Sequence, residues 1–195
     1  MGTRGLTIVI NEEKTKVAQY GQWDHYPSGQ GLIALKFLRS TNLENFKKRL
    51  KKVRFATDAD QKAIDDFFIS IGVEDGWMSR VQAKKYRQNF PLLSRGHGAK
   101  ILDLLMKSED EVFIVDSTDF AGDGLFCEWV YVIDLDKGTF EVYKGFGKKP
   151  LTKKDRFFFL QEDGSDYPPV KMVKSFKLNN LPTEDKFLAK FKREE

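Results

Sequence analysis

The stretch Tyr20-Gly21-Gln22-Trp23-Asp24-His25-Tyr26-Pro27-Ser28-Gly29-Gln30-Gly31 combines three aromatic rings, a carboxylate, an imidazole and three glycines. Such a segment can do chemistry. Glycines let a backbone pass close to a ligand, a following helix offers free N–H groups to an anion, and Trp23 or Tyr26 can stack on a ring. A rigid turn is the competing reading. There Asp24 binds local N–H groups, the aromatics cover a sheet edge and Pro27 fixes the chain. The residues themselves leave both readings open.

A second glycine-rich segment, Ser94-Arg95-Gly96-His97-Gly98-Ala99-Lys100, precedes a helical pattern. Arg95 and Lys100 supply charge for a phosphate, but a P-loop would need a Lys-Ser or Lys-Thr pair that is missing, and a plain helix start is the better reading of the same residues. Asp116, Asp119 and Asp123, with Gly122 and Gly124, resemble a calcium loop only superficially. The glutamate of an EF-hand's twelfth position is absent from that register. With 2 histidines (His25 and His97) and 1 cysteine (Cys127), the usual Cys/His zinc set cannot be assembled. No metal and no cofactor is expected. Cys127 as a nucleophile would need a base beside it; as a small apolar residue it needs nothing.

These residues must be positioned by a chain of 195 residues, long enough to bury a core without disulfides. At 41% hydrophobic and 32% charged it is too apolar for disorder and too interrupted by charge for a membrane span. Collagen and disulfide scaffolds are excluded. The start lacks the basic region and apolar run of a secretory leader, so the expected setting is the cytoplasm. A net charge of +4 permits nucleic acid without implying it. The densest basic run is Lys47, Lys48, Arg49, Lys51, Lys52 and Arg54. Leu43, Phe46, Leu50 and Val53 recur through it at helical spacing, which makes the lysines the solvated side of a helix.

The periodicities predict a hairpin from Thr3 to Ile10 and Thr15 to Tyr20, then a helix over Leu32 to Ser40 and a second one capped by Thr41 or Asn42. A third starts at Thr57, buries Ile64, Phe67, Phe68 and Ile71, and stops at Gly72. Helices follow over Ser79 to Asn89, ended by Pro91, and from about Gly98. Strands resume at Val112 to Val115, Glu128 to Leu135, Phe140 to Tyr143, Arg156 to Leu160 and Val170 to Lys177. In the central hairpin Trp129, Tyr131, Ile133 and Leu135 face one way, and Glu128, Val130, Val132 and Asp134 the other. Thr183 caps a terminal helix. The expectation is a single α+β domain over 1–195: a mainly antiparallel sheet, a helical insertion in the middle third and a short C-terminal helix.

The start Met1-Gly2-Thr3-Arg4-Gly5, the loop Trp23 to Gly31 and the run Cys127 to Asp136 with Phe140 to Gly145 together resemble a largely uncharacterised family. Its members, from bacteria, their phages and some fungi, carry an M-S/G-T-R-A/G start and a W-D-x-Y-P-x-G loop. The chain departs from it at His25, where the family has a small residue. The resemblance implies a shared site that gathers Arg4, Asp24, Tyr26 and Glu128. A fainter similarity to N-terminal-nucleophile hydrolases founders on Gly2, which has no side chain to attack with.

Three functions follow as expectations. The first is a small binding protein, phage-encoded by that resemblance, that captures a nucleotide-like or other anionic ligand, or blocks a host immune protein. Its ligand-binding residues would be Arg4, Trp23, Asp24, Tyr26, Arg95 and Glu128. The second is a hydrolase with Asp24 or Glu128 as base and Arg4 stabilising negative charge. The third is a nucleic-acid binder that uses the Lys47 to Arg54 face.

Overall fold

The structure, a computed structural model, describes residues 2–73 and 76–191. Met1 of the opening motif lies outside them. Strand β1 (Gly5–Asn11) turns directly into β2 (Lys14–Gly21), antiparallel from Gly5↔Gly21 to Asn11↔Lys14 with a shift of register between Val9 and Ile10. The turn residues Glu12 and Glu13 have φ of 56° and 59°, the left-handed pair whose twist matches a two-residue hairpin. The Asp136 carboxylate accepts their N–H groups at 2.9 and 2.8 Å, which pins the hairpin tip to the turn of the next hairpin. Asp136→Ala should lower stability by about 1 kcal/mol, read as a shifted urea midpoint; an unchanged midpoint would mean that the turn holds itself.

Helix α1 (Leu32–Ser40) buries Ala34, Leu35, Phe37 and Leu38, and α2 (Leu43–Leu50) is capped by Asn42, whose side chain accepts the Asn45 N–H at 2.9 Å. The chain then makes a short strand, β3 (Val53–Phe55), so Val53 does not continue the helical stripe of α2. Helices α3 (Asp58–Ser70) and α4 (Arg80–Asn89) form the next pair, each opened by a capping box, at Thr57 and at Ser79. Of the predicted α3 stripe only Ile64 is buried; Phe67, Phe68 and Ile71 are half-buried, with Phe68 packed on Tyr86 of α4 and Phe67 on Phe90 just past its end. Helix α5 (Ile101–Lys107) follows a tight turn at Gly98–Lys100, and β4 (Val112–Ile114) pairs with β3, parallel and apart from the main sheet.

The central strands are β5 (Trp129–Asp134) and β6 (Thr139–Lys144); β7 (Lys171–Lys177) and α6 (Glu184–Leu188) complete the fold. The sheet order is β2-β1-β5-β6-β7, antiparallel except between β1 and β5. The architecture is therefore α+β with a mostly antiparallel sheet. All six residues of β5 are buried, as its place between β1 and β6 and beneath two covered faces requires. One face carries Val9, Val17, Trp129, Tyr131, Ile133 and Phe140 under Leu35, Phe46, Leu102 and Phe187 of the helices. The other carries Leu6, Ile8, Ala18, Val130, Val132 and Tyr143 under Leu151, Phe157 and Val170 of the connecting segments.

The strand predicted over Arg156 to Leu160 does not form. Phe158–Leu160 is a single tight turn, because β7 takes the free edge of β6 and Phe157 is drawn edge-on to Tyr143 at 5.0 Å. Packing overrides β-propensity there. Arg156 instead reaches beneath the sheet: Nη2 donates to Asp134 Oδ2 at 2.7 Å and to Glu141 Oε2 at 2.9 Å, and Nε donates to the Tyr143 hydroxyl at 3.0 Å. Both carboxylates are buried.

Candidate functional site

Gly5 and Gly21 are cross-strand partners and leave a bare patch on the helix-covered face of the sheet. The His25 ring lies on that patch. A Cβ at Gly21 would run into His25 Cε1, and one at Gly5 would meet the Trp129 carbonyl oxygen and come within 2.6 Å of His25 Cδ2. An imidazole is thus lodged over two glycines. The His25 N–H donates to the Thr3 carbonyl at 3.1 Å, and its own carbonyl accepts the Tyr131 hydroxyl at 2.6 Å. The ring is fully buried, and neither nitrogen has a hydrogen-bond partner among the described residues. Burial pulls its pKa from 6.5 to about 4, against the weaker opposing pull of the Trp23 backbone and the Asp24 charge. The imidazole is therefore neutral and out of reach of solvent.

Around His25 the two glycine-rich segments meet. The Gln22 N–H donates to the Arg95 carbonyl at 2.9 Å, and the buried Gln30 amide bridges them, accepting the Ala99 N–H at 2.8 Å and donating to the Trp23 carbonyl at 3.3 Å. Asp24 adopts φ 60°, and its carbonyl accepts the Gln30 N–H at 2.8 Å, which folds Pro27–Gly31 into a wide helical turn that runs into α1. Much of the loop is therefore the rigid turn of the competing reading. Its outer side is different.

There Tyr26 and Ser28 face Thr3, Glu128, Trp129, Lys144 and Phe146 across a cavity of about 580 Å³. Four separate segments contribute. Glu128 is held against the first strand: its Oε1 accepts the Arg4 N–H at 3.3 Å and its own N–H donates to the Arg4 carbonyl at 3.0 Å. Lys144, the register partner of Trp129, carries its ammonium 5.2 Å from the centre of that indole. Phe146, at φ 59°, is anchored by its N–H to the Gly124 carbonyl at 2.7 Å and stays about half exposed.

Tyr26 and Glu128 therefore line one cavity. Asp24 meets it through Tyr26, whose hydroxyl donates to Asp24 Oδ1 at 3.1 Å. Arg4 takes part through its backbone; its guanidinium stacks over Phe126 at 4.4 Å and pairs with neither Asp24 nor Glu128 among the described residues. Arg4 thus meets Glu128 through its main chain and not through its guanidinium. Trp23 is exposed and lies against Gly2. Arg95 stacks on Tyr20 at 5.2 Å and does not line the cavity. Sequence reasoning missed Lys144 and Phe146. The hairpin register could have supplied Lys144, because it faces Trp129.

Cys127 is fully buried, and burial with the nearby Asp123 and Glu128 charges pushes its thiol well up, the opposite of what a nucleophile needs. Asp116 and Asp123 serve local turns, bound to Thr118 and to the Leu125 and Phe126 N–H groups. The basic run is largely tied up. Arg49 is buried and donates to the Leu105 carbonyl, while Lys47, Lys51 and Arg54 pair with Glu44, Glu12 and Asp60. A larger cavity of about 750 Å³ is lined by Asp119, Asp123, Glu162 and Asp166 with no lysine or arginine, so it repels anions. Among the described residues no helix is long and apolar enough to cross a membrane. No protein-family model, curated protein or solved structure matches the chain.

Proposed function

We propose that the chain is a binding protein that holds a nucleotide-like anion in the cavity between Tyr26, Glu128 and Lys144. The observation that carries this reading is the make-up of that cavity: aromatic rings, an ammonium, hydroxyls and a single carboxylate around about 580 Å³, a volume that suits a small ligand. The exposed rings of Tyr26 and Phe146 offer faces for a base, and Lys144 offers charge for a phosphate. Glu128 accepts hydrogen bonds from ribose hydroxyls or an exocyclic amine, which favours a nucleotide over bare phosphate.

The hydrolase reading needs the Arg4 guanidinium beside Asp24 or Glu128, and it covers Phe126 instead. Capture without turnover is therefore preferred. Native mass spectrometry of the protein mixed with a nucleotide and metabolite extract tests it. The expected result is one species retained and released intact on denaturation, its affinity lowered about tenfold or more in Lys144→Ala and in Glu128→Gln. A species consumed without retention would overturn capture in favour of catalysis, and binding unaffected by either substitution would remove the ligand from this cavity.

A further inference from the structure

From Gly76 to Leu102 the chain has no aspartate or glutamate, yet it carries Arg80, Lys84, Lys85, Arg87, Arg95 and Lys100. The first four all lie on α4, are exposed, and have no ion-pair partner among the described residues. In the Lys47 to Arg54 run, by contrast, Lys47, Lys51 and Arg54 pair with Glu44, Glu12, and Asp60 and Glu111. Helix α4 has an inner side, where Tyr86, and Phe90 just past the helix end, pack on Phe68 and Phe67 of α3 at 5.1 and 5.3 Å. The basic residues take the outer side, with Arg80, Lys84 and Arg87 in one stripe at helical spacing. Just before the helix stands Trp77, 86% exposed.

We infer that the outer face of α4, with Trp77, binds single-stranded nucleic acid. Exposed cations in a stripe attract a phosphate backbone and release its counterions, while a bare indole stacks on a base that is not already paired. An anionic membrane fits less well. A helix lying in a lipid surface sinks its apolar face, and that face of α4 is already turned onto α3. The inference is independent of the cavity, to which α4 contributes no residue.

Fluorescence anisotropy with a labelled oligothymidylate tests it on the full chain. Log affinity should fall with log salt at a slope of about −3, as about four phosphate contacts require. Trp77→Ala should weaken binding about fivefold or more, and Lys84→Glu with Lys85→Glu should weaken it about tenfold and flatten the slope. Lys47→Glu with Lys48→Glu should leave it unchanged; circular dichroism reports that each variant is folded. Equal loss from the Lys47 pair, equal affinity for duplex, or no binding at all would overturn the inference. So would affinity for anionic vesicles, or self-association through α4, in place of the strand.

Discussion

Stability should fall by about 3 kcal/mol as the pH drops from 6.5 to 4, and a His25→Ala chain should not share that fall. The sign follows from where the proton binds. Below 6.5 the unfolded chain takes a proton on His25, whereas the folded chain resists it down to about 4 because the ring is buried. The unfolded state therefore binds more protons through that window, and stability rises with pH across it. Above 6.5 the contribution is fully present; below about 4 both states are protonated and no more is lost. Urea midpoints of both chains across the window are the measurement. Parallel curves would mean that His25 is protonated in place and that the lodged-ring account is wrong.

The same ring explains the glycines. Gly21→Ala should cost about 2 kcal/mol, because the new methyl runs into His25 Cε1 in a filled space. In the His25→Ala background it should cost little, and that non-additivity separates a steric clash from a loss of backbone freedom. Equal costs in the two backgrounds would assign the glycine to the backbone alone.

Arg156→Met should destabilise by about 3–5 kcal/mol at neutral pH, because it strands Asp134 and Glu141 beneath the sheet. In the native protein burial pushes Asp134 toward protonation, but the Lys137 N–H and the Arg156 guanidinium outweigh it and hold its pKa below the ordinary carboxylate value. With its folded pKa depressed, Asp134 contributes stability above the unfolded pKa and loses it as the pH falls through the folded one. Without Arg156 the balance reverses. Asp134 then takes up a proton in the folded state, and the deficit of the variant should narrow as the pH drops through the carboxylate range. A deficit that stays flat with pH would show lost packing rather than lost charge pairing. Arg156→Met combined with Asp134→Asn and Glu141→Gln should recover most of the stability, since no charge is then buried unpaired.

The sequence by itself determined what is decided within a few residues. Asn42, Thr57, Ser79 and Thr183 each cap the N–H of the residue three along, so the start of a helix can be read where those side chains stand. The two faces of β5 follow from strict alternation, which has a period of two whatever lies on either side. Tyr26 and Glu128 could be nominated because unusual residue types stood in a loop and beside an aromatic strand.

The tertiary structure decided the rest, through partners far apart in the chain. Nothing local states that β1 pairs in parallel with β5, and that pairing alone brings Arg4 to Glu128 and Thr3 to the cavity. The same holds for Arg156, which reads as strand by composition but is captured by Asp134 and Glu141 across the sheet. It holds for His25, whose burial depends on two glycines meeting from separate strands. Caps and alternation act over a turn or a pleat, whereas pairing, burial and charge compensation depend on the whole fold.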